Sequence, residues 1–434
     1  MFRRFFLLFS ILVVARAQDA SRIDQIVQSY VSAKTFMGTV LVARASEVLL
    51  SKGYGMANLE WDIPNAPSTK FRLGSVTKQF TAASILLLEE RGKLKVDDPV
   101  KKYMPDAPAA WDRVTITHLL THTSGIPSFT GFPDYSQTEP FETTPEKLVA
   151  RFRDKPLEFA PGEKWNYSNS GYVLLGYLIE KISGQSYASF VKENIFAPLG
   201  MQDSGYDSNF EIIRHRAAGY SPSKDGPRNA GFIHMSIPFS AGSLFSTTED
   251  LLKWERGLFG GKVLSPRSLQ KMTTPFLKDY AFGLSVRTTD GHEVIDHGGG
   301  IEGFNTHLAY YPEDQTTIIV LGNLNGPVSE IAGKLGALTH GKPVTLTSER
   351  KEIAVPRKIL EQYVGTYELQ PKFNLVVTLE GDQLMTQATG QEKFPLFAES
   401  ETRFFLKVVD AQVEFSGDHL ILHQGGRDIT AKRQ

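Results

Sequence analysis

Hydrophobic and polar positions follow a strand period near both ends of residues 18–340 and a helical period between them. After a polar helical stretch that ends near Lys34, residues 39–44 and 47–52 are short β-rich runs that predict a hairpin. Residues 70–275 contain helix-period segments separated by loops rich in proline and glycine. Three further strands and a helix are predicted at 293–296, 304–311, 316–321 and 328–338. This order predicts an α/β domain in which an antiparallel sheet is flanked by helices and the middle of the chain forms a helical lobe.

The pattern changes after this segment. Residues 341–356 are polar and charged and have no clear period, so they predict a linker. Residues 357–434 predict a small all-β antiparallel barrel, because short strand-like runs alternate with turns that contain glycine. The eight predicted strands are 364–369, 375–379, 384–388, 393–397, 403–406, 412–415, 420–423 and 428–431.

Residues 1–17 have the features of a secretory signal peptide. Arg3 and Arg4 form a basic region, residues 5–15 are apolar, and Ala15-Arg16-Ala17 fits the small-x-small cleavage pattern. An uncleaved anchor is the alternative, but the apolar run is shorter than the roughly 20 residues that span a bilayer. We therefore expect cleavage and export, to the periplasm or out of the cell.

The composition narrows the classes of partner and chemistry. The 434 residues carry a formal net charge of −1, so we expect no basic surface that holds nucleic acid. No later apolar run is long enough to cross a membrane. The chain has no cysteine, so an exported form has neither a disulfide nor a thiol nucleophile. The pattern leaves the oligomeric state open.

Ser75 and Lys78 are the first candidate chemical pair. They precede apolar residues at helical spacing, which places Ser75 at the start of a helix and Lys78 one turn further on the same face. A desolvated lysine with a lowered pKa can take the proton of a serine hydroxyl, which is a poor nucleophile without such a base. The motif alone has little weight, because Ser-x-x-Lys also begins at Ser189, Ser221, Ser268 and Ser348.

Tyr167-Ser168-Asn169 is the second element and precedes a predicted helix. A tyrosine beside a lysine ammonium can have a lowered pKa and shuttle protons, and an asparagine amide can hold a substrate carbonyl. The alternative is structural, with Asn169 as a helix N-cap and Tyr167 as a core aromatic residue.

His297-Gly298-Gly299-Gly300 is the third element, between two predicted strands. Its glycines also fit a dinucleotide-binding spacing, but a strand rather than a helix follows, so we reject a nucleotide cofactor. Glycines at a strand edge let a substrate carbonyl approach a backbone N–H closely, as in an oxyanion hole. A glycine-rich turn is the alternative.

With these elements in this order, the chain resembles the serine β-lactamase and penicillin-binding-protein superfamily. The similarity is to the branch of class C β-lactamases, low-molecular-weight D,D-peptidases, D-aminopeptidases and family VIII esterases. The related class A signature combines S-x-x-K with S-D-N and K-T-G; here a tyrosine replaces the middle serine and a histidine the last lysine. The resemblance covers roughly residues 20–340, and the C-terminal part is similar to lipocalin-like domains appended to some of these hydrolases.

The resemblance implies catalytic roles for three residues. Ser75 is expected to be the acylated nucleophile and Lys78 its activating partner. Tyr167 is expected to be the base or shuttle that also protonates the leaving group. No metal and no cofactor is implied.

The resemblance also implies a substrate-binding set. Asn169 is expected to orient the substrate on its carbonyl side, and His297 to line the strand edge that faces Tyr167. Gly299 and Gly300 belong to that edge, and the N–H groups of Ser75 and Gly300 are expected to form the oxyanion hole.

Two departures from the family pattern favour particular substrates. Gly298 stands where the family has a hydroxyl, so one donor to a substrate carboxylate is missing. His297 is mostly neutral at pH 7, unlike a lysine. We therefore expect an exported serine hydrolase that prefers esters or D-amino-acid amides and peptides. One alternative is a D,D-carboxypeptidase or β-lactamase. Another is a non-catalytic receptor for peptidoglycan or peptides, which agrees less well with the presence of Ser75, Lys78 and Tyr167 together.

Other enzyme classes fit the sequence less well. His118 and His122 have zinc-ligand spacing, but Leu119 stands where a general-base glutamate belongs and no third ligand is evident. No serine has the Gly-x-Ser-x-Gly pattern of α/β-hydrolases.

Aromatic residues of the middle loops either line an apolar pocket at the nucleophile or anchor those loops: Phe129, Phe132, Tyr135, Trp165, Phe232 and Phe239.

Overall fold

The computed structural model describes residues 20–424 and 427–434. The predicted signal peptide, residues 1–17, lies outside the described residues. The described chain divides into two compact units, one of residues 20–22 with Thr35–Ala332 and one of Ile23–Lys34 with Gly333–Gln434. The domain boundaries at 340 and 356 stay predictions.

The strands of the first unit are β1 (Gly38–Arg44), β2 (Glu47–Tyr54), β3 (Met56–Asn58), β4 (Ile63–Pro64), β5 (Phe71–Arg72), β6 (Gly205–Tyr206), β7 (Tyr220–Ser221), β8 (Arg228–Asn229), β9 (Leu244–Ser246), β10 (Ser285–Thr289), β11 (His292–Ile301), β12 (Phe304–Tyr311) and β13 (Thr316–Gly322). The helices up to residue 339 are α1 (20–32), α2 (Thr77–Glu90), α3 (Ile116–Leu120), α4 (Tyr135–Thr138), α5 (Pro145–Arg153), α6 (Asn169–Ser183), α7 (Tyr187–Val191), α8 (Ala197–Leu199), α9 (Phe239–Gly242), α10 (Thr248–Phe259), α11 (Pro266–Thr273) and α12 (Val328–Thr339).

One antiparallel sheet joins the N-terminal hairpin to the later strands, in the order β10-β11-β12-β13-β1-β2. β13 is buried along its whole length and pairs with β1, so that Val40 lies opposite Val320. The predicted single sheet is therefore confirmed. β11 continues through Ile301, beyond the predicted 293–296, because its glycine run stays paired with β12, with Gly298 opposite His307.

The helical lobe packs around α2 and α6. Apart from its last two residues, α2 is buried throughout, including Lys78. α6 buries Tyr172, Leu175 and Ile179 on the predicted stripe, and it ends at Gly184, whose positive φ of 74° closes the helix. Buried side chains of both helices belong to the same hydrophobic core as residues of the sheet, which fixes the first turn of each helix relative to β11.

The second unit contains a closed antiparallel barrel, as the sequence predicts. Its strands are β14 (Gly365–Gln370), β15 (Phe373–Glu380), β16 (Gln383–Ala388), β17 (Lys393–Ala398), β18 (Arg403–Phe405), β19 (Ala411–Ser416), β20 (His419–Gln424) and β21 (Arg427–Arg433), preceded by α13 (Arg357–Leu360). Pairing of Tyr367 with Arg433 closes the barrel. Alternate residues such as Val377, Val413 and Leu420 fill its core. In the described ranges, we find no helix with both the length and the apolar character needed to cross a bilayer.

Candidate active site

Ser75 lies in a single 3-10 turn, Gly74–Val76, immediately before α2. This turn packs against the glycine run of β11, and a Cβ on Gly74 would lie 2.8 Å from the backbone nitrogen of Gly300. Gly74 also has a positive φ of 53°, so only glycine suits the position. Ser75 is thereby held beside the edge of β11 while its side chain stays partly exposed.

Lys78 lies one helical turn after Ser75 and is fully buried. Its Nζ donates to Oγ of Ser75, to Oδ1 of Asn169 and to the carbonyl oxygen of Ala241, each at 2.9 Å. Desolvation holds the pKa of Lys78 well below its ordinary value. The lowered pKa predicted for a desolvated lysine at this position is confirmed in direction. The lowering favours loss of a proton from Nζ, which lies within hydrogen-bond distance of Oγ of Ser75.

Tyr167 lies on the other side of this pair, with Nζ of Lys78 4.8 Å from its ring centroid. Burial raises the pKa of Tyr167, and a hydrogen bond with Ser75 only partly opposes the rise. The direction is opposite to the lowering expected from a neighbouring ammonium, because desolvation of the hydroxyl outweighs any such attraction. At neutral pH, Tyr167 is therefore a phenol that can donate a proton.

Asn169 begins α6 but does not cap it. The cap is Ser168, whose hydroxyl accepts from the backbone N–H of Gly171. The Asn169 amide accepts from Lys78 through Oδ1 and donates to the Thr130 hydroxyl through Nδ2 at 3.1 Å. The interpretation of Asn169 as the helix cap is wrong. The amide of Asn169 instead connects Lys78 with Thr130.

His297 and the following glycines form the opposite wall. The ring centroids of His297 and Tyr167 lie 6.4 Å apart. A Cβ on Gly299 would lie 2.0 Å from the carbonyl oxygen of Leu73, so a side chain there would push the nucleophile turn away from the strand. Gly300 lines the same pocket as Ser75. The structure thus brings together all the site residues that the sequence singled out.

His122 and Tyr280 belong to this cluster and were not predicted as part of it. Tyr280 Oη lies 2.9 Å from Nε2 of His297 and 3.1 Å from Nε2 of His122. The backbone N–H of Ser168 donates to Nδ1 of His122, and Nδ1 of His297 lies 2.6 Å from the carbonyl oxygen of Gly298.

These four hydrogen bonds form a series that ends at a backbone carbonyl on one side and at a backbone N–H on the other. Because a carbonyl only accepts and an N–H only donates, the two ends fix the direction of every bond in the series. The carbonyl of Gly298 only accepts, so Nδ1 of His297 carries the proton and Nε2 of His297 accepts from Tyr280. Tyr280 then accepts from Nε2 of His122, whose Nδ1 accepts from the backbone. Burial lowers the pKa of His297 to about 4, with the charge of Lys78 as a further cause. His297 is therefore a neutral imidazole at pH 7.

His118 and His122 do not converge on a common point. His118 accepts from the backbone N–H of Thr115 in the capping box of α3, whereas His122 is buried with a positive φ of 57° and faces Tyr280. A left-handed backbone at a buried histidine is a signal of a constrained site. It is visible only in the structure.

The pocket at Ser75 has a volume of about 80 Å³. Phe129 and Tyr135 line it, as one of the two interpretations of the loop aromatics predicts. The other interpretation holds elsewhere: Phe239 packs on Tyr187 in the core. Phe232 does neither and is 59% exposed.

The Beta-lactamase family model matches residues 23–339. The chain belongs to the beta-lactamase family. It is a serine hydrolase of this family, and the resemblance stated from Ser75, Tyr167 and His297 is confirmed. A second model, described as a domain of unknown function (DUF3471), matches residues 349–420, which include most of the barrel.

Two of three similar proteins cover nearly the whole of this beta-lactamase family member, and the third covers about three quarters of it. Penicillin-binding protein 4* of Bacillus subtilis (strain 168) is 32% identical over 431 residues, covering 92% of this chain and 95% of the relative. The octameric penicillin-binding protein homologue from Pyrococcus abyssi is 29% identical with a TM-score of 0.68, covering 95% and 99% of the two chains. D-amino acid amidase from Ochrobactrum anthropi SV3 is 25% identical with a TM-score of 0.67, covering 74% and 99%.

Proposed function

We propose that this protein is an exported hydrolase that cleaves esters or amides, including D-amino-acid amides and peptides, through an acyl-enzyme on Ser75. The observation that carries the proposal is the 2.9 Å contact between Nζ of Lys78 and Oγ of Ser75, with Lys78 desolvated. A buried lysine with a lowered pKa at hydrogen-bond distance from a partly exposed hydroxyl is the arrangement that activates a serine nucleophile.

Acylation then proceeds as a proton transfer coupled to attack. Ser75 gives its proton to the neutral amine of Lys78 while Oγ bonds to the substrate carbonyl carbon. The N–H groups of Ser75 and Gly300 stabilise the oxyanion. The phenol of Tyr167 protonates the leaving alcohol or amine, and the proton that Lys78 took from Ser75 then passes to the Tyr167 oxygen, which leaves Lys78 neutral again. Water repeats the sequence on the acyl-enzyme and releases the acid.

The preference for substrates without a carboxylate at the strand edge rests on two residues. Gly298 offers no hydroxyl there. His297 is neutral, because burial holds its pKa near 4, and both of its ring nitrogens already have partners. A substrate carboxylate therefore lacks both a charge and a side-chain donor at this edge. The likeness to a D-amino acid amidase supports the same choice.

A D,D-carboxypeptidase or β-lactamase activity is the second candidate. It is favoured by the 32% identity to a penicillin-binding protein over nearly the whole chain. A non-catalytic peptidoglycan or peptide receptor is less consistent with the contact between Lys78 and Ser75, because a binder has no need of an activated nucleophile.

One experiment separates these functions. The protein and its Ser75→Ala variant are exposed briefly to a p-nitrophenyl ester and, separately, to a penicillin, while chromophore release and intact mass are followed. Ester turnover that is lost in Ser75→Ala, without a stable penicillin adduct, is the expected result. A penicilloyl adduct on Ser75, or rapid penicillin hydrolysis, would favour the second candidate, and binding without any turnover would favour the receptor.

Export is proposed from the sequence of residues 1–17, which lie outside the described residues. The basic start, the apolar run and the small-x-small site fit a cleaved signal peptide. N-terminal sequencing of the protein from cell fractions tests this directly. We expect a mature chain that begins at Gln18 in the exported fraction; an intact N-terminus in the cytosol would contradict export.

A further inference from the structure

Glu302 supplies the one charged side chain among the described residues that line the pocket at Ser75. The rest of the wall is apolar, glycine or uncharged polar: Gly74, Ser75, Phe129, Thr130, Tyr135, Asn169, Ile233, Pro238, Ala241, Gly242, Gly300 and Ile301. Lys78 does not line the pocket, and its Nζ contacts oxygen atoms of Ser75, Asn169 and Ala241. A substrate seated at Ser75 therefore meets a negative charge.

The fold fixes where this charge lies. Glu302 and Gly303 form the two-residue turn between β11 and β12, and Gly303 has a positive φ of 79°. Glu302 thus follows Gly300, the proposed oxyanion donor, by two residues, at the end of the paired strand β11.

The carboxylate of Glu302 is incompletely satisfied within the described chain. Its Oε2 is buried and has no hydrogen-bond partner there. A buried carboxylate oxygen without a donor is costly, and a cation with N–H groups is the ligand that removes this cost.

Neighbouring side chains do not neutralise the charge. Burial and the charge of Glu302 together raise the pKa of Tyr135 and that of Glu139, so a second acid lies on the same side. Arg151 is the cation that acts on Tyr135, but its guanidinium is paired with Asp134 at 2.9 Å. The pocket therefore keeps a net negative character.

We propose that Glu302 binds the free ammonium group of the substrate, so that this enzyme selects esters or amides of α-amino acids with an unblocked amino group. This inference rests on the proposed acyl-enzyme at Ser75.

Three anilides that differ only at the α-position test the proposal: alanine p-nitroanilide in both enantiomers, N-acetylalanine p-nitroanilide and propionic acid p-nitroanilide. For the wild-type protein, kcat/KM is expected to be at least about tenfold higher for one enantiomer of the free amine than for the propionyl compound, as a hydrogen bond between charged groups provides. Equal or lower kcat/KM for the free amine would overturn the proposal.

Two variants assign the preference to one carboxylate. Glu302→Gln keeps the shape and removes the charge, and it is expected to reduce the ratio of kcat/KM between the free-amine and the propionyl anilide to about one. Glu139→Gln is the matched control outside the pocket wall and is expected to retain the preference. If Glu302→Gln lowered all substrates equally, Glu302 would have a structural role and the proposal would be wrong.

Binding to the Ser75→Ala variant separates this proposal from the proposed reaction. Calorimetry with alanine p-nitroanilide and propionic acid p-nitroanilide measures amine recognition without turnover. Tighter binding of the amine that is lost when Glu302→Gln is added supports the proposal even if the wild type cleaves no anilide. Equal binding of the two compounds overturns it even if Ser75 hydrolyses esters.

Discussion

The phenolic oxygen of Tyr280 lies 2.9 Å from Nε2 of His297, and this contact decides what His297 can do. Because Nδ1 of His297 bonds to a carbonyl oxygen, Nε2 must be the acceptor of the Tyr280 proton. The ring is neutral and already occupied on both sides. His297 therefore shapes the wall of the site and does not act as a positive anchor for a substrate anion.

The tautomers of the two buried histidines are the first prediction. At pH 7 we expect His297 to carry its proton on Nδ1 and His122 on Nε2, with His297 staying neutral down to about pH 4. Nitrogen-15 NMR of histidine-labelled protein distinguishes the two tautomers, with His297→Asn and His122→Asn for assignment. An imidazolium signal from His297 at pH 7 would contradict the hydrogen-bond directions given above.

Lys78 gives the second prediction, because its burial serves catalysis at the expense of stability. Lys78→Met is expected to lower kcat by at least about 10²- to 10⁴-fold, the range for loss of a general base. The same variant should unfold at a higher temperature at pH 7, because it removes a buried amine whose charged form is destabilised by desolvation. Activity assays and thermal unfolding on the same preparation test both effects.

Lys78→Arg is the control for this prediction. It keeps the positive charge but cannot release a proton near neutral pH. If Lys78 only held the substrate electrostatically, Lys78→Arg would keep substantial turnover. In the wild type, the active neutral amine forms as pH rises through the lowered pKa of Lys78, so kcat/KM should rise with pH on the acidic side.

The local parts of the site were accessible from sequence. Ser75 and Lys78 share a helix face because their spacing is one helical turn, and Tyr167 with Asn169 precedes an amphipathic helix. The strand period likewise gave the barrel strands to within a few residues. These features depend on neighbours in the chain, which a sequence pattern records.

The rest depends on contacts between distant segments. His122 and Tyr280 are 158 residues apart in the chain, and no spacing links them. The glycines of β11 lie beyond the predicted strand 293–296 because glycine disfavours strands, yet they pair with β12, and Gly299 lies close to Leu73. Glu302 lines the pocket with Phe129 and Asn169, and no spacing in the sequence links these three residues.

Glu255 provides a prediction about stability and pH. It is fully buried in α10, its Oε2 has no hydrogen-bond partner among the described residues, and burial raises its pKa to about 8. Between the ordinary pKa and pH 8 the folded protein binds more protons than the unfolded chain, so this group costs stability as pH rises through that range. Glu255→Gln is expected to raise the free energy of unfolding at pH 8 by roughly 4 kcal/mol and to change it little at pH 4.5. Denaturant unfolding at the two pH values measures this, and an equal change at both would refute it.

Gly298 allows the substrate preference to be tested by adding a group. A Cβ at this position would have Nδ1 of His307 at 3.6 Å and Oγ of Ser329 at 3.7 Å as its nearest neighbours, which is ordinary contact distance. Gly298→Thr is therefore expected to fold. If the absent hydroxyl is one reason for weak recognition of carboxylates, the variant should acylate with a penicillin about tenfold faster, as one added hydrogen bond to a charged group allows.

Gly298→Ala is the matched control, because it adds the Cβ without the hydroxyl. We expect it to acylate with penicillin no faster than the wild type, and we expect both variants to keep p-nitrophenyl ester turnover within about threefold, since a neutral ester makes no use of that donor. Intact mass of the Ser75 adduct over time gives the acylation rate.

An equal gain in Gly298→Ala would mean that backbone geometry rather than the hydroxyl limits acylation. No gain in Gly298→Thr would leave the neutral His297 and the negative charge of Glu302 as the features that disfavour a carboxylate, and Glu302→Gln in the Gly298→Thr background would then be expected to restore acylation.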